Sequence, residues 1–314
     1  MIQIKHPHLE QFAQEHYEAI KNYIDTKAKI KIETIDSWIH GCFGKEWDFK
    51  SLIMANPNEL EKLSKIYKIK SCHDFKYFHT LYDYLNNYRE KKFFLYDDKK
   101  EEKYYRAYEL IKKLNISICP YCNRNTIYNL RYSKQRTSEL DHFYPQSKYP
   151  FFALSFYNLI PSCKVCNKIK LDSNDKEYIN PYDDKFDMNK HMKFSLKLKD
   201  STFYHSLDGF RLNCKFDDDI ADDEKQRIKN NIKDFKLHDL YQNHKDIVLE
   251  LIQKNAIYND SYINELMTQY EGTLFKNRED LLRHITCGYI TDEEIGKRPL
   301  SKLIKDISQE LQLI

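Results

Sequence analysis

Two Cys-x-x-Cys pairs, Cys119/Cys122 and Cys163/Cys166, are the strongest chemical signal in the sequence. Thiolates at positions i and i+3 of a tight turn can face one ion, and two such pairs complete the tetrahedral ligand set of a structural zinc. A redox dithiol, two separate ions and four unliganded thiols are the alternatives. The duplication of the pair around one short segment favours a shared structural Zn2+, whose binding would help a small module to fold.

The segment between the cysteine pairs contains a second group of candidate residues, Asp141, His142 and Asn158, and Asn167 directly follows the last cysteine. Hydrolysis of a phosphodiester needs a base that deprotonates water, and a neutral histidine suits that role near pH 7. It also needs positive charge at the phosphate, which a divalent cation held by carboxylate and amide oxygens can supply. Adjacent residues of a regular strand point to opposite faces, so we expect the strand to bend or end at the Asp-His pair.

The stretch from Asn158 to Asn167, with the letters NLIPSCKVCN, resembles the HNH endonuclease signature N-L-x-x-L-C-x-x-C-H. Here Asn takes the place of the final His, and the interval from His142 to Asn158 lies within the family's usual range. The resemblance extends from Cys119 to about Asp172. It implies the ββα-metal fold of that family, in which two strands and a helix hold one catalytic divalent cation.

The same resemblance implies a role for each of the four residues. His142 would be the base that activates water, and Asp141 and Asn167 would be the protein ligands of a catalytic Mg2+ or Mn2+. Asn158 would hold the backbone of His142 in position. The amide oxygen of Asn167 suits Mg2+ at least as well as an imidazole does, so Asn in place of His is compatible with activity.

Positive charge is concentrated around these motifs. The segment from Cys119 to Leu171 contains eight basic residues and two acidic ones, whereas the whole chain has a net charge of only +3. Such a cluster is typical of a phosphate-binding surface, although a solvated basic loop would have the same composition. Arg124, Lys168 and Lys170 lie close to the motifs, and we interpret them as candidate nucleic-acid contacts.

The elements that must position these residues begin with a helical N-terminal region. Apolar stripes at helical spacing occur at residues 9–24, 75–85 and 104–114. The pair Asn56-Pro57 adds a helix start, because Asn caps a helix and Pro fits its first turn. Aromatic residues are frequent in these stripes, and we interpret them as core packing.

Strand patterns follow in the motif region and beyond it. Alternating residues predict strands at 126–132 and 138–143 and a hairpin within 193–212. From about residue 221 the chain is again predicted to be helical, with a last helix that begins at Pro299. The predicted fold class is α+β and mostly helical, with a small zinc-stabilised ββα-metal module flanked by helical regions. The regions are 1–115 (helical), 116–185 (HNH module with the four-cysteine zinc site), 186–220 (β-hairpin extension) and 221–314 (helical).

The composition argues against a membrane-spanning protein. Mean hydropathy is −0.77, and no apolar run approaches the roughly 20 residues that a membrane-spanning helix needs. The N-terminal residues lack the charged-then-apolar profile of a signal peptide, so we expect a soluble cytoplasmic protein. The cytosol disfavours disulfides, and the remaining cysteines are interpreted as small buried apolar residues: Cys42, Cys72, Cys214 and Cys287.

The leading functional interpretation is a metal-dependent HNH endonuclease that hydrolyses DNA phosphodiester bonds. The sequence contains no recognisable zinc-finger array, helix-turn-helix or basic zipper, which favours low intrinsic sequence specificity. The letters LDHFYP at 140–145 and YPFFAL at 149–154 are also similar to HNH subunits of Septu-type bacterial anti-phage systems. This resemblance implies an ATPase partner subunit that would dock on the helical flanks.

Two alternatives remain open. A zinc-stabilised nucleic-acid-binding or scaffold subunit without catalysis would keep the cysteines but would not need Asp141, His142 and Asn167 together. The joint presence of these three residues favours the enzyme. An RNA-directed nuclease is the second alternative, because a ββα-metal site attacks phosphodiesters without reading the sugar.

Overall fold

The computed structural model describes residues 1–27, 31–70, 107–130, 132–133, 135–170 and 177–314. Within these ranges the chain is mostly helical with short two-stranded antiparallel sheets, so the predicted α+β class is confirmed. Across the same ranges, no helix is both long enough and apolar enough to cross a membrane. The predicted stripe at 75–85 lies outside the described residues, and the stripe at 104–114 is described from residue 107.

The N-terminal region consists of helices whose ends follow local sequence signals. They are α1 (Leu9–Lys27), α2 (Ile32–Phe43), α3 (Phe49–Met54) and α4 (Pro57–Lys70). Phe12 and Ile20 repeat on one face of α1 and are buried, as the stripe predicts. The Asn56 side chain accepts hydrogen bonds from the backbone N–H groups of Asn58 and Glu59, and the Glu59 carboxylate accepts from the backbone of Asn56. This capping box starts α4 where the Asn-Pro pair predicts it.

The central part of the chain contains short strands that follow one another closely. Its elements are α5 (Ala107–Leu114), β1 (Asn129–Leu130), β2 (Gln135–Arg136), β3 (Glu139–His142), β4 (Leu159–Ser162) and α6 (Lys164–Lys170). β1 pairs with β2 and β3 pairs with β4, both antiparallel, and Asp141 lies opposite Ile160. The predicted strand at 126–132 is shorter than expected, because regular pairing is limited to β1 and a bridge at Thr126. β3 falls within the predicted 138–143.

The connection between β3 and β4 packs against the N-terminal helices. Tyr149, Phe151 and Phe152 in this connection share a hydrophobic core with residues of α1 to α4. The Phe43 ring of α2 lies 5.2 Å from the Phe151 ring, measured between centroids. The N-terminal helices therefore hold the connection in place beside the β3–β4 pair.

The C-terminal part adds a second hairpin and a set of helices. α7 (Met188–His191) precedes β5 (Met192–Leu198), which pairs with β6 (Phe210–Phe216), so the predicted hairpin is confirmed. The helices that follow are α8 (Asp222–Asp234), α9 (Leu237–Gln242), α10 (Lys245–Ile257), α11 (Asp260–Tyr270), α12 (Arg278–Thr286) and α13 (Ser301–Glu310). α13 begins two residues after Pro299, close to the predicted start.

A shared hydrophobic core runs through all the sequence regions. It joins Phe12 of α1, Leu110 of α5, the module cysteines and residues of β5, β6 and α13. A buried ion pair adds to this core, because Lys302 Nζ lies 2.8 and 2.6 Å from the two carboxylate oxygens of Asp306. Asp306 Oδ2 also accepts the backbone N–H of Phe194, which ties α13 to β5. The cysteine-bearing module is therefore packed between the N-terminal and C-terminal helices.

Candidate functional site

The four predicted zinc ligands meet in one cluster. The sulfur atoms of Cys119, Cys122, Cys163 and Cys166 all lie within 4.8 Å of one another, and all four residues are buried. The Cys122 and Cys163 sulfurs are 4.0 Å apart. Zn–S bonds of about 2.3 Å in a tetrahedron require S···S distances of about 3.8 Å, so the cluster suits a structural zinc, as predicted.

Two local turns present these sulfurs to each other. In the first turn the backbone N–H of Cys119 donates to the carbonyl of Asn125, and Asn123 has a φ of 48°, in the left-handed region that Asn tolerates. In the second turn Cys163 lies between β4 and α6, and Cys166 lies in the first turn of α6. The Asn125 amide also donates to the Cys163 sulfur over 3.2 Å, which joins the two turns.

The charge balance of the cluster calls for a cation. A hydrogen bond from Cys119 lowers the pKa of Cys163, whereas burial raises the pKa of Cys119. Negative charge on one thiolate disfavours the loss of a proton from the neighbouring thiols. A dication in place of these protons would remove the repulsion, which is the chemistry that a structural zinc supplies.

Two antiparallel strands, β3 and β4, lead through the second cysteine turn into α6, which packs against β3. β3 is regular through Asp141 and ends at His142, after which residues 143–144 bend. The strand end expected at the Asp-His pair is therefore present. The two side chains leave the strand toward different elements, Asp141 toward α6 and His142 toward the connection between β3 and β4.

Asp141 is almost fully buried, and one of its carboxylate oxygens is held by two donors. Oδ2 accepts a hydrogen bond from the Tyr121 hydroxyl over 2.5 Å and another from Lys170 Nζ over 2.6 Å. The other oxygen, Oδ1, accepts no hydrogen bond from the part of the chain that the structure describes. Asp141 thus retains one oxygen for a further partner, and oxygen is the ligand type that Mg2+ prefers.

The position of Lys170 corrects the prediction that this residue contacts a nucleic-acid phosphate. Its ammonium group is buried, and it donates to the carbonyl of His142 over 2.5 Å as well as to Asp141. Burial lowers the pKa of Lys170, and the Asp141 carboxylate opposes that shift. Lys170 is therefore an internal counter-ion that ties α6 to the end of β3. The sequence did not reveal this, because the inward direction of position 170 depends on how α6 packs.

His142 is half-buried at the end of β3, and a backbone carbonyl fixes its ring. Nε2 lies 3.0 Å from the carbonyl oxygen of Ala153. Because a carbonyl oxygen can only accept, Nε2 carries the proton of the neutral ring and Nδ1 carries the lone pair. In this tautomer the ring can accept a proton at Nδ1, the nitrogen that does not contact Ala153.

Asn158 is fully buried, and its side chain binds the backbone near both partners of the His142–Ala153 hydrogen bond. Its Oδ1 accepts the N–H of Tyr144 over 2.7 Å, and its amide donates to the carbonyl of Phe152 over 2.9 Å. Tyr144 comes two residues after His142, and Phe152 directly precedes Ala153. Asn158 therefore acts on the position of the histidine through these neighbouring residues.

Asn167 lies on α6 three residues before Lys170, and residues at this spacing share a helix face. Its backbone N–H donates to the carbonyl of Cys163 over 3.0 Å, so a zinc ligand anchors its position. The side chain is half-buried and makes no hydrogen bond within the described residues. The fold thus brings Asp141 and Asn167 onto elements that pack together, β3 and α6.

The two remaining candidate nucleic-acid contacts have different environments. Lys168 is exposed on α6. Arg124 is half-buried, and its Nε donates to His244 Nε2 over 2.8 Å. Burial and the nearby Arg124 charge lower the pKa of His244, which favours the neutral ring that can accept this bond. Lys168 stays a candidate contact, whereas Arg124 is partly committed to packing the module against the C-terminal helices.

Two residues of the first cysteine turn were missed by sequence reasoning. Tyr121 is fully buried, its ring stacks on Phe235 with centroids 4.5 Å apart, and its hydroxyl reaches Asp141. Asn123 is also fully buried and accepts the backbone N–H of Lys302. A tyrosine between two zinc-ligand cysteines gives little indication of a role at the site, because the residues that it contacts come from segments that are distant in the sequence.

Comparison with known proteins shows similarity to a Septu protein. A stretch of 98 residues, 30% of this chain, is 34% identical to the Septu protein PtuB of Bacillus thuringiensis. The match spans 36% of that protein, little more than a third of its length. No protein-family model matches the chain, and no solved structure matches it.

Proposed function

We propose that this chain is a metal-dependent endonuclease of the HNH type that acts on DNA in a Septu-like anti-phage system, beside an ATPase partner subunit. The observation that carries the proposal is the packing of β3, β4 and α6 beside the cysteine cluster, with Asp141, His142 and Asn167 on these elements. The similarity to Septu protein PtuB supports the defence context. The excess of basic residues around the module supports a nucleic-acid substrate.

The residues present fit a hard divalent cation. Asp141 offers Oδ1 and Asn167 offers an amide oxygen, and neither group is engaged by another side chain of the described residues through that atom. One carboxylate and one amide, with water completing the shell, are a suitable ligand set for Mg2+ or Mn2+. When bound, such a cation would stabilise negative charge on the phosphate and the leaving oxygen.

His142 is the proposed general base. Its Nε2 proton is directed at the Ala153 carbonyl, so the lone pair on Nδ1 is the position that takes a proton from the attacking water. The imidazolium that results keeps its contact with the same carbonyl, which stabilises the added positive charge. Asn158 resists rotation of the ring indirectly, because it fixes the backbone of Tyr144 and Phe152 on the two sides of this contact.

Lys170 and Tyr121 hold the Asp141 carboxylate in one orientation. Both donate to Oδ2, so the carboxylate cannot rotate without losing two hydrogen bonds. Lys170 also binds the His142 carbonyl, which links the carboxylate and the base through one ammonium group. A site held in this way needs little reorganisation when charge develops on the substrate.

One observation favours the alternative of a zinc-stabilised nucleic-acid-binding or scaffold subunit without catalysis. Lys170 already neutralises Asp141, so the fold does not need a second cation for its internal charge balance. An RNA substrate is the other alternative, because the roles proposed for Asp141, His142 and Asn167 concern the phosphate and the attacking water and not the sugar. The same cleavage assay separates these possibilities.

The test is nicking of supercoiled plasmid by zinc-loaded protein in Mg2+ or Mn2+, with a labelled RNA as a parallel substrate. His142→Ala is compared with the wild type at equal zinc content, and His238→Ala, an exposed histidine on α9, is the matched control. We expect plasmid nicking that falls by at least about 100-fold in His142→Ala alone. Equal nicking by wild type and His142→Ala would reject His142 as the base. Absence of nicking, with the ATPase partner present as well, would favour the binding subunit.

A further inference from the structure

The hairpin formed by β5 and β6 carries basic side chains along its outer face. In the antiparallel register Lys193 lies opposite Lys215, and Lys197 lies opposite Arg211. Directly opposite residues of a strand pair share one face of the sheet, and all four of these residues are exposed. We call Lys193, Lys197, Arg211 and Lys215 the basic face.

The other face of this hairpin is buried in the shared core. Phe194 and Phe210 belong to that core, and the Phe194 ring lies 4.2 Å from the Tyr241 ring, measured between centroids. The Tyr241 hydroxyl in turn donates to the carbonyl of Cys122. Because alternate residues of a strand point to opposite faces, the basic face is on the side of the hairpin that is turned away from the first cysteine turn.

The like charges of the basic face destabilise the hairpin. Directly opposite residues have Cβ atoms about 4.5–5.5 Å apart, and like charges at this distance repel each other. Glu310 compensates one of them, since its carboxylate lies 2.6 Å from Lys215 Nζ. Lys193, Lys197 and Arg211 form no ion pair within the described residues. Neutral polar residues would avoid the repulsion, so the retained charges indicate an anionic ligand.

The positive region continues past the strands to the start of α10. Lys245 Nζ lies 4.8 Å from the centre of the Phe210 ring, at the end of the hairpin. Burial is the main cause that lowers the pKa of Lys245, and Asp208 opposes this shift. The charges of Lys199 and Arg211 add to the lowering of the pKa, so these cations lie close enough to act on one another. The basic face is therefore part of a larger positive surface.

The composition of the basic face fits a nucleic-acid backbone better than a protein surface. Protein interfaces centre on buried aromatic and aliphatic anchors, and lysine is depleted from them. The exposed positions of this face carry basic side chains or, at Asn213, an amide. They include no aromatic ring on which an unpaired base could stack, so they suit phosphates. A duplex carries about one charge per 1.7 Å of its axis, twice the density of a single strand, and is the better electrostatic match.

We propose that the basic face binds the phosphate backbone of double-stranded DNA outside the cleavage site. Lys193, Lys197 and Arg211 contact phosphates and do not read the base sequence. A long DNA molecule can occupy the basic face with one segment and the His142 corner with another, so binding at one raises the local concentration at the other. This inference rests on the proposed action on DNA and adds a second contact for that substrate.

The salt dependence of duplex binding, measured apart from cleavage, tests the proposal. Fluorescence anisotropy is recorded with a labelled blunt duplex over a series of salt concentrations, in a His142→Ala background and with no added Mg2+. The test variant is Lys197→Gln/Arg211→Gln. The control is Lys229→Gln/Lys233→Gln, which removes the same charge from two exposed lysines of α8.

We expect the test variant to lose at least about tenfold in affinity at low salt. The slope of log affinity against log salt should fall by about 2, because each phosphate contact contributes about 0.9 to it. The control should keep the affinity and the slope of its parent. Lys197→Arg/Arg211→Lys, which retains both charges, should also bind like the parent.

Two results would overturn the proposal. One is equal affinity of the test variant and the control for the duplex, as expected if an acidic protein surface covers the basic face. The other is a parent protein that does not bind the duplex. Thermal melting verifies the fold, and the test variant should melt at or above the temperature of its parent because a like-charge pair is removed.

Plasmid nicking is scored separately, with His142 intact. Unchanged duplex binding by the test variant together with normal wild-type nicking rejects the basic face alone. Weakened duplex binding by the test variant together with a wild type that does not nick rejects the nuclease alone.

Discussion

Lys302–Asp306 and Lys170–Asp141 are both buried ion pairs with a shortest N···O distance of 2.6 Å, yet they use their carboxylates differently. Both oxygens of Asp306 bind Lys302, and Oδ2 also accepts the backbone N–H of Phe194. Both donors to Asp141 bind Oδ2, and Oδ1 receives none from the described residues. The structural pair is saturated, whereas the pair at the candidate site keeps one oxygen for a ligand.

The first cysteine turn contacts both pairs. Tyr121 donates to Asp141, and Asn123 accepts the backbone N–H of Lys302. Burial lowers the pKa of each lysine, and in both cases the aspartate partner opposes the shift. Both pairs are therefore buried and both contact the first cysteine turn. They differ in whether both carboxylate oxygens accept hydrogen bonds, so the effects of variants of the two pairs can be compared directly.

Loss of the structural zinc should have the largest effect, because it releases the turn that supports both pairs. Structural zinc sites contribute about 10–16 kcal/mol of apparent binding energy in small peptides, which is comparable to the whole stability of a domain. Chelation or Cys119→Ser should abolish cooperative thermal unfolding measured by circular dichroism. Cys287 lies outside the cluster and is exposed, so its interpretation as a buried residue was wrong; Cys287→Ser is the control and should melt like the wild type. A zinc-free protein with the wild-type melting curve would contradict the structural role of the cluster.

Lys302→Met should have the next largest effect. It leaves Asp306 buried without its counter-ion, which typically costs about 3–5 kcal/mol of unfolding free energy. Urea unfolding measures this change, and Lys297→Met, at an exposed lysine, should stay within about 0.5 kcal/mol of the wild type. Added Mg2+ should not restore Lys302→Met. Full stability of this variant would show that the saturated pair is not structural.

Lys170→Met should cost less, about 1–3 kcal/mol, because Tyr121 still donates to Asp141 and Oδ1 can take a new partner. Millimolar Mg2+ should raise the melting temperature of this variant, since a cation replaces the lost ammonium. The measurement is thermal unfolding with and without Mg2+, in parallel with Lys302→Met. The same Mg2+ response in both variants would erase the distinction between the two pairs.

Tyr121→Phe should have a smaller effect on stability, about 1 kcal/mol, because it removes one hydrogen bond and keeps the stacked ring. Tyr241→Phe is a close control, since the buried Tyr241 hydroxyl also bonds this turn, at the carbonyl of Cys122 over 2.6 Å. Only Tyr121→Phe should slow plasmid nicking and raise its Mg2+ requirement. If both variants changed nicking equally, Tyr121 would have no special role in orienting Asp141.

Features set by a few neighbouring residues could be predicted from the sequence. The Cys-x-x-Cys pairs bring their ligands together because each turn is local, and the Asn56 cap and the alternation in β3 and β5 work over short distances as well. The strand end after Asp141-His142 follows from the same local reasoning. These elements agree with the structure because local geometry and tertiary packing favour the same conformation there.

Features set by packing between distant segments could not be predicted. Lys170 looked like a surface charge because a helix sequence does not say which face meets β3. Tyr121 finds its stacking partner Phe235, and Arg124 its acceptor His244, only after the C-terminal helices fold onto the module. Counting basic residues along the sequence therefore overestimated the number of lysines and arginines that a nucleic acid can contact.

The Mg2+ dependence of plasmid nicking by Asn167→Ala is the most direct test of a catalytic cation site between β3 and α6. The Asn167 side chain makes no hydrogen bond within the described residues, so its unfolding free energy should stay within about 0.5 kcal/mol of the wild type. Nicking at fixed Mg2+ should nevertheless fall by at least about tenfold, and more Mg2+ should be needed for half-maximal rate. Lys168→Ala, the adjacent exposed position, should leave the Mg2+ requirement unchanged. Nicking by Asn167→Ala at the wild-type rate and with the wild-type Mg2+ dependence would contradict the proposed site.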